Sequence, residues 1–224
     1  MFSDKMTSVL LEKKEGPLYK PIDSINRLFK IIKSDDDEMF TFKQHKAADY
    51  SNNTDTQYIY LMMDGHFAIS RKNDGLYIAT GTAPMLFGCS LMLQNRVPVN
   101  YMIIPEMDCH GYKIPFEEAK ERITALQLWA DMAEVFAYLL QFFVQRDQYL
   151  VGVNAYTMIR ENLYKINGLA FDERIDINVE KFIHQHTLLS HSGIMKILSE
   201  LKRGGYIVLK HGRLIKINSL PKNY

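Results

Sequence analysis

The sequence predicts an α+β fold in three parts: an N-terminal antiparallel β-roll, a long helix, and a C-terminal winged helix-turn-helix. Three observations predict it. From Met39 apolar residues recur with period two in short runs, two of the breaks being Asp-Gly pairs. From Phe116 the period becomes helical and stays so to about Leu150. From Asn178 the chain reads helix, tight turn, helix, hairpin. The boundaries that follow are 1–122 for the roll with an N-terminal helix, 123–152 for the long helix, and 153–224 for the winged helix.

Residues 1–38 form a leader with one helix, in which Ile22, Ile25, Leu28, Phe29 and Ile32 share a face and the run Asp35–Asp36–Asp37–Glu38 provides the stop. In "QYIYLMMDGHFAISRKNDGLYIATG" three β-prone runs are separated by Asp64-Gly65 and Asp74-Gly75, the strongest short-range hairpin signal. "MLFGCSLML", "NYMIIPE" and "CHGYKIP" supply further β-like pieces, a spacing that favours an antiparallel roll over a βαβ sheet.

The long helix, broken early, carries two adjacent heptad stripes. One is Leu128, Met132, Val135, Leu139 and Phe142; the other is Trp129, Ala133, Phe136, Leu140 and Phe143. Together they make a wider apolar face than a two-stranded seam requires, so one stripe packs on the roll and the other meets a second copy. We assign dimerisation to the Leu128–Phe142 stripe. After Gly152, Asn154 caps a helix whose apolar face is Met158, Ile159, Leu163 and Ile166, and "FDERIDI" reads as a loop with a short strand.

The final segment holds the richest chemistry. Asn178 caps a short helix with Val179, Phe182 and Ile183 inward. Ser190 caps a second helix that buries Ile194, Ile197, Leu198 and Leu201 and stops at Gly204-Gly205. "YIVLK" and "RLIKI" then make a hairpin about His211-Gly212. Subtracting the buried face leaves His191, Ser192, Met195, Lys196, Ser199, Lys202 and Arg203 outward. Small polar groups thus stand where base edges are read, with cations where phosphates pass. The candidate DNA contacts are Ser190, His191, Ser192 and Lys196 near bases, with Lys202, Arg203, Lys210, Arg213 and Lys216 at phosphates.

Charge supports this division. The chain has a net charge of +1, but from Asn178 onward eight Lys/Arg face two acids (+6), while the rest holds 19 bases and 24 acids (−5). Two cysteines without metal or disulfide spacing point to a reduced, cytoplasmic setting, and the start lacks a secretory pattern. The apolar segment 124–144 carries Asp131 and Glu134 near its middle, each costing on the order of 2–3 kcal/mol in a bilayer, so no membrane is expected.

A β-roll, a long helix and a winged helix in that order resemble the Crp/Fnr family of bacterial transcription regulators, over roughly 39–217. "LSHSGIMKILSELKRGGYI" looks like that family's recognition helix, and "YLMMDGHFAIS…FGCSLML" looks like its cyclic-nucleotide-binding-like sensor roll. Within the family, the whole chain resembles the enterobacterial group named inhibitors of hydrogen peroxide resistance, which implies a role in oxidative-stress control. The resemblance implies double-stranded DNA, a second copy of the chain and RNA polymerase as partners, and no catalytic activity.

The departures are informative. Where nucleotide-binding members carry a glutamate after Phe-Gly, Cys89 stands here; the Arg-Ser pair that holds the phosphate falls on Val99-Asn100. Phe87, Gly88, Cys89, Val99 and Asn100 therefore mark a degenerate effector pocket, in which a phosphate beside Val99 lacks a counter-charge unless Arg96 supplies it. No cofactor is expected. The recognition helix has His191, Ser192 and Lys196 where DNA-reading members have Arg, Glu and Arg, so bidentate arginine reading of guanine is lost.

The bland readings point elsewhere for several residues. Cys89 among Leu86, Phe87 and Leu91 suits a buried small hydrophobe better than a reactive thiol. His45, His66 and His110 fall in the roll without the His-x-His of metal-binding barrels, and His184 and His186 form that pattern only on the winged helix, so no metal site is expected. Two other readings stay open: an interaction module using roll and wing to hold a protein, and a cupin-like metal-dependent enzyme.

Overall fold

In the computed structural model, residues 18–49, 57–93 and 100–222 are described. Helix α1 (Ile22–Ile32) buries Ile25, Leu28, Phe29 and Ile32. Strands β1 (Glu38–Phe42), β2 (Tyr58–Asp64), β3 (His66–Arg71), β4 (Tyr77–Thr82) and β5 (Met85–Phe87) follow, then a short helix α2 (Cys89–Leu93), β6 (Tyr101–Pro105) and β7 (Cys109–Pro115). The strands form two antiparallel sheets, ordered β1-β7-β2-β5 and β4-β3-β6, and Ala48, in the segment after β1, bridges to Ile103 of β6. This is the expected roll.

Its corner differs from the hairpin expected at Asp64-Gly65. β2 pairs with β5 and β7, while β3 pairs with β4 and β6, so the chain changes sheets there. The Asp64 carboxylate accepts from the His110 amide at 2.9 Å, and Gly65 sits at φ +107° with its α-carbon so close to β7 that a Cβ would lie 2.4 Å from Cys109 Sγ. Only glycine fits this crossing. Asp-Gly marks a tight reversal of backbone direction, and local sequence does not reveal whether the next strand pairs with the last. Asp74-Gly75 does close a true hairpin, β3–β4. "MLFGCSLML" is also corrected, since only Met85–Phe87 is strand and helix α2 begins at Cys89.

The long helix is broken early, as its pattern suggests. Helix α3 (Phe116–Ala125) and helix α4 (Trp129–Leu150) meet at a 118° bend, with Gln127 in the left-handed region (φ 55°). α1 packs on α4, where Arg27 bonds Asp131 (2.6 Å) and the Ser24 hydroxyl donates to Glu134. One acid of the leader's stop is structural: the Asp37 carboxylate is 3% exposed and held by Arg122 at 3.0 Å.

Then come α5 (Ala155–Asn167), α6 (Phe171–Asp176), α7 (Val179–His186), α8 (His191–Arg203), β8 (Ile207–Lys210) and β9 (Arg213–Ile217). Asn154, Asn178 and Ser190 cap α5, α7 and α8 as expected, each side-chain oxygen accepting an amide three residues on. "FDERIDI" is corrected from loop and strand to helix α6, where Glu173 bonds the Ala170 amide. Its six residues are too few to show helical periodicity. Ile159, Leu163, Ile183, Ile194, Leu198, Leu201 and Leu214 make a core separate from that of the roll. Among the described residues no single helix is long and apolar enough to cross a membrane.

Candidate nucleic-acid interface

Helix α8 is the second helix of the winged helix-turn-helix, and its two faces separate cleanly. Ile194, Leu198 and Leu201 are buried against α5 and α7, while His191, Ser192, Met195, Lys196, Ser199, Lys202 and Arg203 are exposed. Periodicity forces this split: once four apolar residues at helical spacing face the core, the intervening ones must face away. None of the outward residues lies beneath the roll. Among the described residues Lys196, Lys202 and Arg203 make no ion pair, nor do Lys210 and Lys216 on the wing, all five being exposed.

The candidates nevertheless differ in how free they are. Ser190 Oγ accepts from the Gly193 amide at 3.2 Å, so its hydroxyl is engaged in capping. His191 Nδ1 lies 2.8 Å from Glu180 of α7, with its ring largely in solvent. The sequence reading missed this tie because the two residues are eleven apart on different helices. Arg213 departs furthest from its expected phosphate role. It is half-buried, and its buried Nη1 has no hydrogen-bond partner among the described residues. The wing is tied to α7 through the Val179 amide donating to the Gly212 carbonyl at 2.9 Å.

The pocket candidates divide. Phe87 packs edge-on to Phe67 (centroids 5.0 Å apart), and Tyr60, Met62, Met85 and Ile103 fill the same interior. Gly88 has φ +86° and a Cβ there would stand 2.6 Å from the Tyr58 carbonyl, so only glycine fits after Phe87. Cys89 is buried in the core with Leu86 and Phe116, and burial pushes its thiol up to about 12. Asn100 is exposed, its carbonyl accepting from the Lys72 amide. Val99 and Arg96 lie outside the described residues.

The chain itself covers much of the candidate dimerisation stripe. Leu128, Met132 and Val135 are buried in the roll's core with α1, and Leu139 packs partly against it. Phe142 is half-buried beside the roll. In the neighbouring stripe Trp129 and Phe136 also pack on that core, but its later part is open, with Leu140 66% exposed and Phe143, like the adjacent Val144, about half. Two adjacent heptad stripes look equivalent in sequence, and only packing against α1 and the roll separates them.

The histidine pair is explained by its partners. His184 Nδ1 meets the Leu189 carbonyl and His186 Nδ1 the Phe182 carbonyl, at 3.0 and 2.8 Å. His186 also stacks on Phe182 and meets Tyr77 of the roll edge-on, and burial holds its pKa down at about 4. No cluster of metal-ligating side chains occurs among the described residues.

Comparison with known proteins agrees with this architecture. Residues 155–222 match the family described as winged helix-turn-helix DNA binding. The fold is similar to the c-di-GMP responsive global regulator CLP of Xanthomonas campestris (TM-score 0.68, 10% identity, 88% of this chain and 100% of that one). It is also similar to a Crp/Fnr-family transcriptional regulator of Eubacterium rectale (TM-score 0.64, 14% identity, 88% and 90%). In sequence, the chain is 30% identical over 206 residues to the inhibitor of hydrogen peroxide resistance of Escherichia coli K12, covering 92% of this chain and 98% of that protein. The Salmonella typhimurium protein of that name matches over 207 residues at 30%, covering 92% and 99%. On a Crp/Fnr-type regulator fold ending in a winged helix, the chain belongs to the family of the inhibitor of hydrogen peroxide resistance.

Proposed function

We propose that this chain is a homodimeric transcription regulator that lays α8 in the major groove of double-stranded DNA, operates without cyclic nucleotide, and acts in oxidative-stress control. The observation that carries it is the outward face of α8, polar and small at its N-terminus and cationic at its end, continued by Lys210 and Lys216 on the wing. Ser192 and Lys196 are the nearest to bases. Lys202, Arg203, Lys210 and Lys216 meet phosphates. In its neutral form with Nδ1–H donating to Glu180, His191 presents Nε2 as an acceptor, which suits the amino group of adenine or cytosine in the major groove.

The apolar surroundings of Phe87 and the buried, uncharged Cys89 support a roll that does not take a nucleotide in the manner of its nucleotide-binding relatives. The link to oxidative stress rests on the names of the relatives alone. A second copy docking on Leu140, Phe143 and Val144 places two α8 helices to read half-sites about one DNA turn apart. The test is fluorescence anisotropy with genomic fragments across a salt series, followed by genome-wide mapping of bound sites with and without peroxide. Steeply salt-dependent binding supports the reading. Its absence, with capture of a protein partner instead, favours an interaction module.

A further inference from the structure

Helix α8 carries one apolar side chain on a face where its pattern calls for none. Its exposed residues are the polar His191, Ser192, Lys196, Ser199, Lys202 and Arg203, together with Met195, which is 42% exposed. The core does not claim this methionine. Ile194, Leu198 and Leu201 are buried, and Ile197, two residues on and so nearly opposite on the helix, packs partly on the same core. Met195 lies one turn after His191 in the N-terminal half of α8, the half that approaches base edges in a helix-turn-helix. With His191 and Lys202 it borders a crevice of about 350 Å³, closed on the other side by Glu180 of α7 and His211 of the wing turn.

A helix that enters a groove loses the water on its outward face. The polar residues around Met195 regain hydrogen bonds from base edges and phosphates. A thioether cannot: it donates nothing and accepts only weakly. Opposite a base edge made of donors and acceptors, it also leaves that edge dry and unpaired. The major groove presents one apolar substituent, the C5-methyl group of thymine, and burying it against sulfur and methylene gains free energy where every other edge loses it.

We infer that Met195 is a specificity-determining residue that reads the thymine C5-methyl group. The inference rests on the placement of α8 in the major groove proposed above and names what that face selects. Met195 stands about 6 Å further along the helix axis than His191, which is within about two base-pair steps. His191, held at 2.8 Å by Glu180, turns Nε2 toward an adenine or cytosine amino group. An A·T pair carries both the amino group and the methyl group, so the start of α8 favours A·T pairs. This selection uses no charge and leaves the salt dependence to the cations.

The probe is a genomic fragment amplified once with thymidine and once with deoxyuridine triphosphate, which removes only the thymine methyl groups. In anisotropy titrations the full-length chain should bind the thymine fragment about fourfold more tightly per half-site, the gain expected for burying one methyl group. Met195→Gln keeps side-chain length and helix propensity but not apolarity. It should lose the preference between the two fragments while keeping the salt slope and the thermal melt of the unaltered protein. Met195→Leu should retain the preference. Equal affinity of the unaltered protein for both fragments, or an undiminished preference in Met195→Gln, overturns the inference, and salt-dependent binding in the same titrations then leaves the groove placement standing. Absence of salt-dependent binding to either fragment overturns both.

Discussion

Replacing Lys196 and Arg203 together by glutamine is the sharpest perturbation of the proposed interface. Both side chains are exposed, neither forms an ion pair among the described residues, and both sit on the face of α8 opposite Ile194, Leu198 and Leu201. Folding should therefore be nearly indifferent. Lys196 lies mid-helix, and Arg203 in the last turn contributes about 0.3–1 kcal/mol through the helix dipole. Binding should not be indifferent. Each phosphate neutralised on B-DNA adds about 0.9 to the slope of log affinity against log salt, so losing the Arg203 contact flattens the slope by about 0.9 for each winged helix, while losing Lys196 weakens contact with the bases. Between 50 and 200 mM salt, the advantage of the unaltered protein should therefore shrink roughly three- to fourfold per winged helix. Anisotropy of a labelled genomic fragment at five or six salt concentrations reads this directly, with circular dichroism melts as the folding control. Parallel salt lines for the two proteins would refute the placement of α8 in the groove.

Five other outcomes follow from the structure. His186 titrates at about 4 when folded against 6.5 in its unshifted state, because burial disfavours its charge. The unfolded chain thus takes the proton first. The contribution is full above pH 6.5 and lost as pH falls toward 4, by at most about 3 kcal/mol; His186→Gln should lose that part of the acid sensitivity in melts at pH 7 and pH 5. Leu140→Glu with Phe143→Glu should convert a dimer to folded monomers in analytical ultracentrifugation, whereas Met132→Ala, wholly buried, should lower stability by about 2–5 kcal/mol in urea melts. Cys89, with its thiol pushed up to about 12, should stay unmodified by iodoacetamide or moderate peroxide at neutral pH; rapid stoichiometric oxidation seen by mass spectrometry contradicts its inert role. Gly88→Ala should be strongly destabilising in thermal melts, since its φ and the Tyr58 carbonyl leave no room for a methyl group.

Much of the candidate interface was legible in advance because it depends on short-range rules. Asn178 and Ser190 announce helix starts, Gly204-Gly205 an end, and Ile194, Leu198 and Leu201 a buried face, so the outward residues of α8 follow by subtraction. What remained hidden involves partners distant in sequence. The Glu180–His191 tie and the half-burial of Arg213 arise only when α7, α8 and the wing meet.

The sequence by itself determined the order of roll, long helix and winged helix, the caps of α5, α7 and α8, and the basic character of the tail, because periodicity, capping and charge are carried by residues a few positions apart. Tertiary structure alone decided that Asp64-Gly65 crosses between sheets, and that the roll covers Leu128, Met132 and Val135 while leaving Leu140 open. It alone also brought Glu180, His191, Met195 and His211 to one crevice. The physical reason is common to all three: strand pairing, the choice between two apolar stripes, and the meeting of side chains from separate elements are set by packing across the whole chain, on which local pattern is silent.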